Sequence, residues 1–226
     1  MKKTVLGVKI DDVSMDEALE TVHGWLKKSF GYAQDKHYIV TPNPEFLITA
    51  QKDLEFKRIL NEADLSIPDG VWLKLSGVKN TVPGVDLMEK LVEKSTDWAV
   101  TVGFLGGRNG VAEKAVKCLL QKYPEIKITF AISDPPTSFH LPPTDLLFVA
   151  FGHPKQEKWI AENLSYIPVK IAMGVGGAFD YISGKVPRAP KFLRDFGLEW
   201  LFRLIAQPWR IKRQLALLKY LFLVLK

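Results

Sequence analysis

Apolar residues in this chain fall into short dense runs separated by longer stretches in which they recur every three or four positions. The dense runs read as strands: Val5–Ile10, Tyr38–Val40, Leu65–Ile67, Trp98–Leu105, Ile126–Ile132, Leu146–Phe151 and Val169–Val175. The periodic stretches read as helices. One runs from Met15 to Lys28 behind Ser14 as its cap; others cover 45–51, 53–62, 86–94, 111–122 and 156–163, with a helical turn over Val71–Ser76. Strand, polar or glycine-rich turn, helix, repeated, predicts an α/β fold: a mostly parallel, Rossmann-like sheet with helices on both faces. Ligands bind such sheets beyond the carboxyl ends of the strands. The turns that follow strands here, at 41–45, 68–72, 106–110, 152–157 and 176–180, are therefore expected to converge on one rim.

After Ala178 the pattern changes. Lys185-Val186-Pro187-Arg188-Ala189-Pro190 is a basic, proline-broken connector, and two amphipathic helices are expected beyond it, over 191–206 and 208–225, parted by Gln207-Pro208. We divide the chain accordingly into a core over 1–187 and a helical appendage over 188–226. Leu215–Leu225 is almost wholly apolar apart from Lys219, yet far short of the roughly 20 residues of a membrane span. Basic residues followed by an apolar end suit a helix lying in a membrane interface. The competing reading is an ordinary helix packed on the core or on a second copy.

Composition narrows the class. With 226 residues and 47% hydrophobic content, the chain is long and apolar enough to bury a core. The formal charge is +6; from Arg188 onward nine Lys/Arg face only Asp195 and Glu199, which leaves about −1 for the first 187 residues. A basic tail meets phosphates of lipid, nucleotide or nucleic acid, and charge alone does not choose among them. The single cysteine, Cys118, forms no internal disulfide and fits a reducing compartment. The first residues lack the apolar run of a secretory leader, so a cytoplasmic location is expected.

Several turns hold candidate chemistry. Gly106-Gly107-Arg108-Asn109-Gly110 joins a strand to a helix, where glycines let backbone approach a ligand and helix N–H groups face an anion. It lacks the Lys-Ser/Thr of a P-loop and is no clean GxGxxG, so a tight turn without a ligand fits nearly as well. Asp69, in Pro68-Asp69-Gly70, is either a turn-former or a general base on the rim. Gln156 and Glu157, in Gly152-His153-Pro154-Lys155-Gln156-Glu157, either cap a helix or read a base or sugar hydroxyl. The four histidines show no ligand spacing and there is no Asp-x-Asp motif, so no metal site is expected. Arg203, Arg210 and Arg213 either converge on a diphosphate or form a basic face toward anionic lipid.

Taken in order, these blocks resemble the WecG/TagA/CpsF glycosyltransferase family. The likeness rests on Thr41-Pro42-Asn43-Pro44-Glu45, Pro68-Asp69-Gly70, Pro83-Gly84-Val85-Asp86-Leu87, Phe104-Leu105-Gly106-Gly107, Gly152-His153-Pro154-Lys155-Gln156-Glu157-Lys158-Trp159, Gly174 to Asp180, Arg188-Ala189-Pro190 and Gly197 to Leu204. The resemblance implies inverting transfer of N-acetylmannosamine from a UDP-sugar to N-acetylglucosamine on undecaprenyl diphosphate, in teichoic-acid-type polymer synthesis. Its alternatives within the family are a UDP-N-acetylmannosamine uronic acid or UDP-glucose donor for a surface polysaccharide. It also implies Asp69 as catalytic base with Thr41 and Asn43 beside it, and Gly106, Gly107, Gln156 and Asp180 at the nucleotide-sugar. The appendage arginines 203, 210 and 213 would sit at the diphosphate. The implied partners are the donor, the lipid-linked acceptor and an anionic membrane surface, with no nucleic acid, metal or other cofactor, and a peripheral position on the inner face of the cell membrane. A nucleotide-dependent oxidoreductase and a non-enzymatic basic binding module are the remote alternatives.

Overall fold

The computed structural model describes residues 2–27, 36–134, 140–196, 198–206 and 211–225. The first apolar run is two strands rather than one: β1 (Lys2–Val5) and β2 (Val8–Asp11) form an antiparallel hairpin. Leu6 and Gly7 turn between them at φ of 49° and 76°, and consecutive positive-φ residues match the twist of the flanking strands. A leucine in that turn, where asparagine or aspartate is usual, hid it in the apolar pattern. Next, α1 (Met15–Leu26) starts at a reciprocal cap: Ser14 Oγ accepts from the Glu17 N–H, and the Glu17 carboxylate accepts from the Ser14 N–H.

The chain then runs through β3 (His37–Val40), α2 (Pro44–Ala50), α3 (Leu54–Glu62), β4 (Leu65–Ser66), a 3-10 turn over Val71–Ser76, α4 (Gly84–Asp97) and β5 (Thr101–Gly106). It continues as α5 (Val111–Lys122), β6 (Lys127–Ile132), β7 (Thr144–Ala150), α6 (Lys155–Asn163), β8 (Val169–Gly174) and α7 (Ala178–Ile182). The strand expected from Trp98 begins only at Thr101, because Trp98 closes α4 and Ala99 turns at φ 57°.

Strands β3 to β8 form one parallel sheet in the order β4-β3-β8-β7-β5-β6. In β7, Leu146, Phe148 and Ala150 join an apolar cluster with α1, α4, α5 and α7, whereas Leu147 and Val149 join a second cluster with Ile160 of α6. Successive strand residues point to opposite faces, so both faces are covered. That is why β7 reads as an unbroken apolar run. Six parallel strands bring all their carboxyl ends to one edge.

Beyond α7 come α8 (Lys191–Asp195), α9 (Glu199–Ala206) and α10 (Ile211–Val224). The helix expected over 191–206 is thus interrupted; Gly197 lies between the two pieces in the sequence, and glycine costs a helix interior about 1 kcal/mol. α10 returns to α2 and buries Tyr220 completely among residues that include Phe46, Leu47 and Leu73. The Tyr220 hydroxyl shares a hydrogen bond with Ser76 Oγ at 2.5 Å and donates to the Trp72 carbonyl at 3.2 Å. Among the described residues no helix is long and apolar enough to cross a membrane.

Candidate active site

A cavity of about 350 Å³ opens at the carboxyl edge of the sheet, lined by the turns after β3, β4, β5, β7 and β8. Thr41, Asn43, Asp69, Gly107, Gln156 and Asp180 all border it. The turns are tied to one another. Asp69 N–H donates to the Pro42 carbonyl at 2.9 Å, Ile67 N–H to Val40 at 2.9 Å and Val82 N–H to Pro68 at 2.8 Å. The half-buried Asp69 is therefore held by backbone on both sides. Asn43 caps α2: its Oδ1 accepts from the Phe46 N–H at 3.1 Å.

The glycine turn is similarly fixed. Gly106 does not line the cavity; it sits at φ 97°, where a Cβ would lie 2.9 Å from the Ala150 carbonyl carbon. Only glycine lets β5 end this close to β7, and Gly107 then donates its N–H to the Ala150 carbonyl at 2.9 Å. From the neighbouring strand, Ser133 Oγ accepts from the Ala112 N–H and Asp134 from the Asn109 N–H. Gln156 is 1% exposed; its Oε1 accepts from both the Gly152 and the Gly176 N–H at 3.0 Å, and its Nε2 donates to Glu157 Oε1 at 2.7 Å. Gln156 thus joins the turns after β7 and β8. Asp180 accepts an ion pair from Lys185 at 3.3 Å.

Sequence reasoning did not assign Glu45, His153, Tyr181, Lys185 or Arg108 to the site, and all five border the cavity. His153 stacks on Phe46 with centroids 4.8 Å apart, its Nε2 3.5 Å from Thr49 Oγ1 and 3.7 Å from a Glu45 carboxylate oxygen. The signal for His153 was its place in the turn after β7; the α2 residues that hold it are about a hundred positions away. Among the described lining residues the cations are Arg108 and Lys185, facing the carboxylates Glu45, Asp69 and Asp180. No cluster of three or more His, Cys, Asp or Glu gathers as a metal site among the described residues.

The chain matches the glycosyl transferase WecG/TagA/CpsF family over residues 3–226. It belongs to that family. Proteins named N-acetylglucosaminyldiphosphoundecaprenol N-acetyl-beta-D-mannosaminyltransferase are similar to it. The one from Bacillus spizizenii is 34% identical, covering 84% of this chain and 79% of its own length; that from Bacillus subtilis is 31% identical, covering 85% and 83%. The one from Staphylococcus aureus is 28% identical over the whole of this chain and 92% of its own.

Two blocks of this glycosyltransferase family chain acquire a physical reason. Asp86, in the first turn of α4, receives Arg188 Nη1 at 2.5 Å and Arg194 Nη1 at 3.4 Å, so the start of the appendage is clasped to a helix whose Val85 borders the cavity. Arg210 lies outside the described residues, and so do the side chains of Arg203 in α9 and Arg213 in α10.

Proposed function

We propose that this protein is an inverting hexosyltransferase that moves N-acetylmannosamine from UDP-N-acetylmannosamine to N-acetylglucosamine carried on undecaprenyl diphosphate, as a step in cell-wall polymer synthesis. The observation that carries the reading is one cavity shared by a half-buried carboxylate, Asp69, and the glycine turns after β5, β7 and β8, in a chain whose relatives are named for N-acetylmannosaminyl transfer to N-acetylglucosaminyldiphosphoundecaprenol.

In this reading Asp69 takes the proton of an acceptor sugar hydroxyl. The oxygen attacks C1 of the donor sugar from the face opposite UDP; the C1–oxygen bond breaks, and UDP leaves with the electron pair. Thr41 and Asn43, on the same wall, orient the acceptor hydroxyl or the donor sugar, while Gly107, Gln156 and Asp180 shape the nucleotide side. The leaving diphosphate needs positive charge. Carboxylates outnumber cations among the described lining residues, which favours the appendage arginines 203, 210 and 213 as its partners, drawn over the site at an anionic membrane surface. The chain has no Asp-x-Asp motif, and the transfer is taken to need no divalent metal.

The test is transfer from a panel of UDP-sugars to a synthetic lipid-diphosphate N-acetylglucosamine, with and without EDTA. UDP-N-acetylmannosamine is expected to lead the panel and EDTA to leave the rate unchanged; preference for UDP-glucose or a uronic acid donor would reassign the substrate. Asp69→Ala should lower turnover by about 10²–10⁴ while UDP still binds. A normal rate in that variant would remove Asp69 from the chemistry.

A further inference from the structure

Behind the cavity wall lies a group that the proposed chemistry does not use. Glu157, in the first turn of α6, is 0% exposed. Its Oε1 accepts from Gln156 Nε2 at 2.7 Å, and its Oε2 has no hydrogen-bond partner among the described residues. The space is made for this pair. A Cβ at Gly174, the last residue of β8, would lie 2.8 Å from both Gln156 Nε2 and Glu157 Oε1. Any other residue there would push the two side chains out of place.

A buried carboxylate with one bare oxygen is costly as an anion and tolerable as a neutral acid. We propose that Glu157 works as a neutral positioning residue: its carbonyl oxygen holds the Gln156 amide in the one orientation that lets Gln156 Oε1 clamp the Gly152 and Gly176 turns. The amide otherwise has two orientations. Flipped, it would present N–H groups to two backbone N–H donors, and both turns that form the cavity floor would be released. With Glu157 in place, one oxygen satisfies both loops and the floor is formed before any ligand arrives.

The electrostatics agree. Burial pushes Glu157 up to about 7 from the ordinary 4.5, opposed by the Gln156 amide and by its own helix N–H. Of the charged groups on α6 and on the elements packed against it, Lys158 pairs with Asp53 and Glu55, Lys170 with Asp145, His37 with Asp64, and Arg58 with Glu62. His153, at the head of α6, faces Glu45. Because the folded value is raised, the stabilisation from this proton is full below pH 4.5 and is lost as pH rises through about 7.

Two variants of the full chain, measured beside the wild type, test the proposal. Glu157→Leu fills the same space without an acceptor; it should still fold, with a lowered Tm because the buried Gln156 Nε2 is left unpaired. Its Gly152 and Gly176 amides should lose hydrogen-exchange protection, and donor turnover should fall by about 10–100-fold. Glu157→Gln supplies the same carbonyl oxygen and should restore both. The Tm of the wild type relative to Glu157→Gln should fall between pH 4.5 and about 7 and stay level above it. The proposal rests on the glycosyltransferase reading only for the turnover measurement; exchange protection and the pH dependence of Tm need no substrate and stand if that reading fails. Equal protection in the leucine variant, or a glutamine variant as impaired as leucine, would overturn the positioning role. A wild-type-minus-glutamine Tm that ignores pH would overturn the neutral acid.

Discussion

Around the cavity, polar side chains are matched to backbone groups of neighbouring turns: Asn43 to Phe46, Gln156 to Gly152 and Gly176, Asp134 to Asn109. Along the carboxy-terminal arm the arrangement is reversed, and large apolar side chains such as Phe192, Phe196, Ile205, Leu218 and Phe222 face outward. The rim spends its polar groups on holding a shape. The arm carries exposed apolar side chains and is fastened at two places, Asp86 near its start and Tyr220 near its end. One region is therefore held together by its own hydrogen bonds, whereas the other is tied beside the site with large apolar side chains exposed. Perturbing the two fastenings and the outward face separates these roles.

The distal fastening should show the largest effect. Tyr220 is fully buried against α2, and its truncation to alanine should cost about 3–5 kcal/mol in urea unfolding. Tyr220→Phe, which removes only the hydroxyl bonded to Ser76 and Trp72, should cost about 1 kcal/mol. A loss below that for the alanine variant would mean that α10 is detached in solution and that rim and arm are independent.

How much of this was readable from residues alone depends on what each one contacts. The parallel sheet was legible because strands buried on both faces leave unbroken apolar runs, and parallel strands bring their following turns to one edge whatever the connections. The joining of Thr41, Asn43, Asp69, Gln156 and Asp180 at one cavity followed from that rule. Local conformation at single residues was less legible: Leu6 takes a positive φ that its side chain disfavours, which concealed the hairpin. Pairings across the chain were not legible at all. Asp86 and Arg188 are 102 positions apart, and nothing in either block names the other. In α10 the run from Leu215 is so uniformly apolar that no face stands out, and Tyr220, the residue that anchors it, reads as one of its more polar members. The residues left Gln156 open between capping a helix and reading a base or sugar hydroxyl; its amide binds two turns and Glu157, a role that depends on residues from another part of the chain.

The proximal fastening comes next in size. Asp86→Asn keeps the shape but removes the charge that faces Arg188 and Arg194. The three side chains are partly exposed, so solvent screens the loss; about 1–2 kcal/mol is expected, well short of the cost of breaking a fully buried pair. Transfer to a lipid-linked acceptor should fall more than stability does, since the start of the arm is clasped beside Val85 at the cavity. The measurement is turnover set against urea midpoint; a parallel change in both would make the clasp purely structural.

The smallest effect on folding should come from the outward face itself, and that is why it is informative. Leu218 and Phe222 are 62% and 68% exposed and lie one helical turn apart in α10. With Ile48, Leu223, Lys52 and Lys219 they border an almost wholly apolar groove of about 400 Å³. Changing either to glutamate removes little buried area, so the urea midpoint should stay within about 0.5 kcal/mol. If the face meets lipid, each side chain contributes about 1.5–3 kcal/mol on entering the apolar layer, and a glutamate there also repels anionic headgroups. Co-sedimentation with anionic vesicles should then fall at least tenfold in the double variant, with UDP binding unchanged. If instead the variant loses several kcal/mol, or wild-type protein self-associates and the variant does not, the face is covered by protein. In that case the contrast between a self-sufficient rim and an open arm fails at the arm.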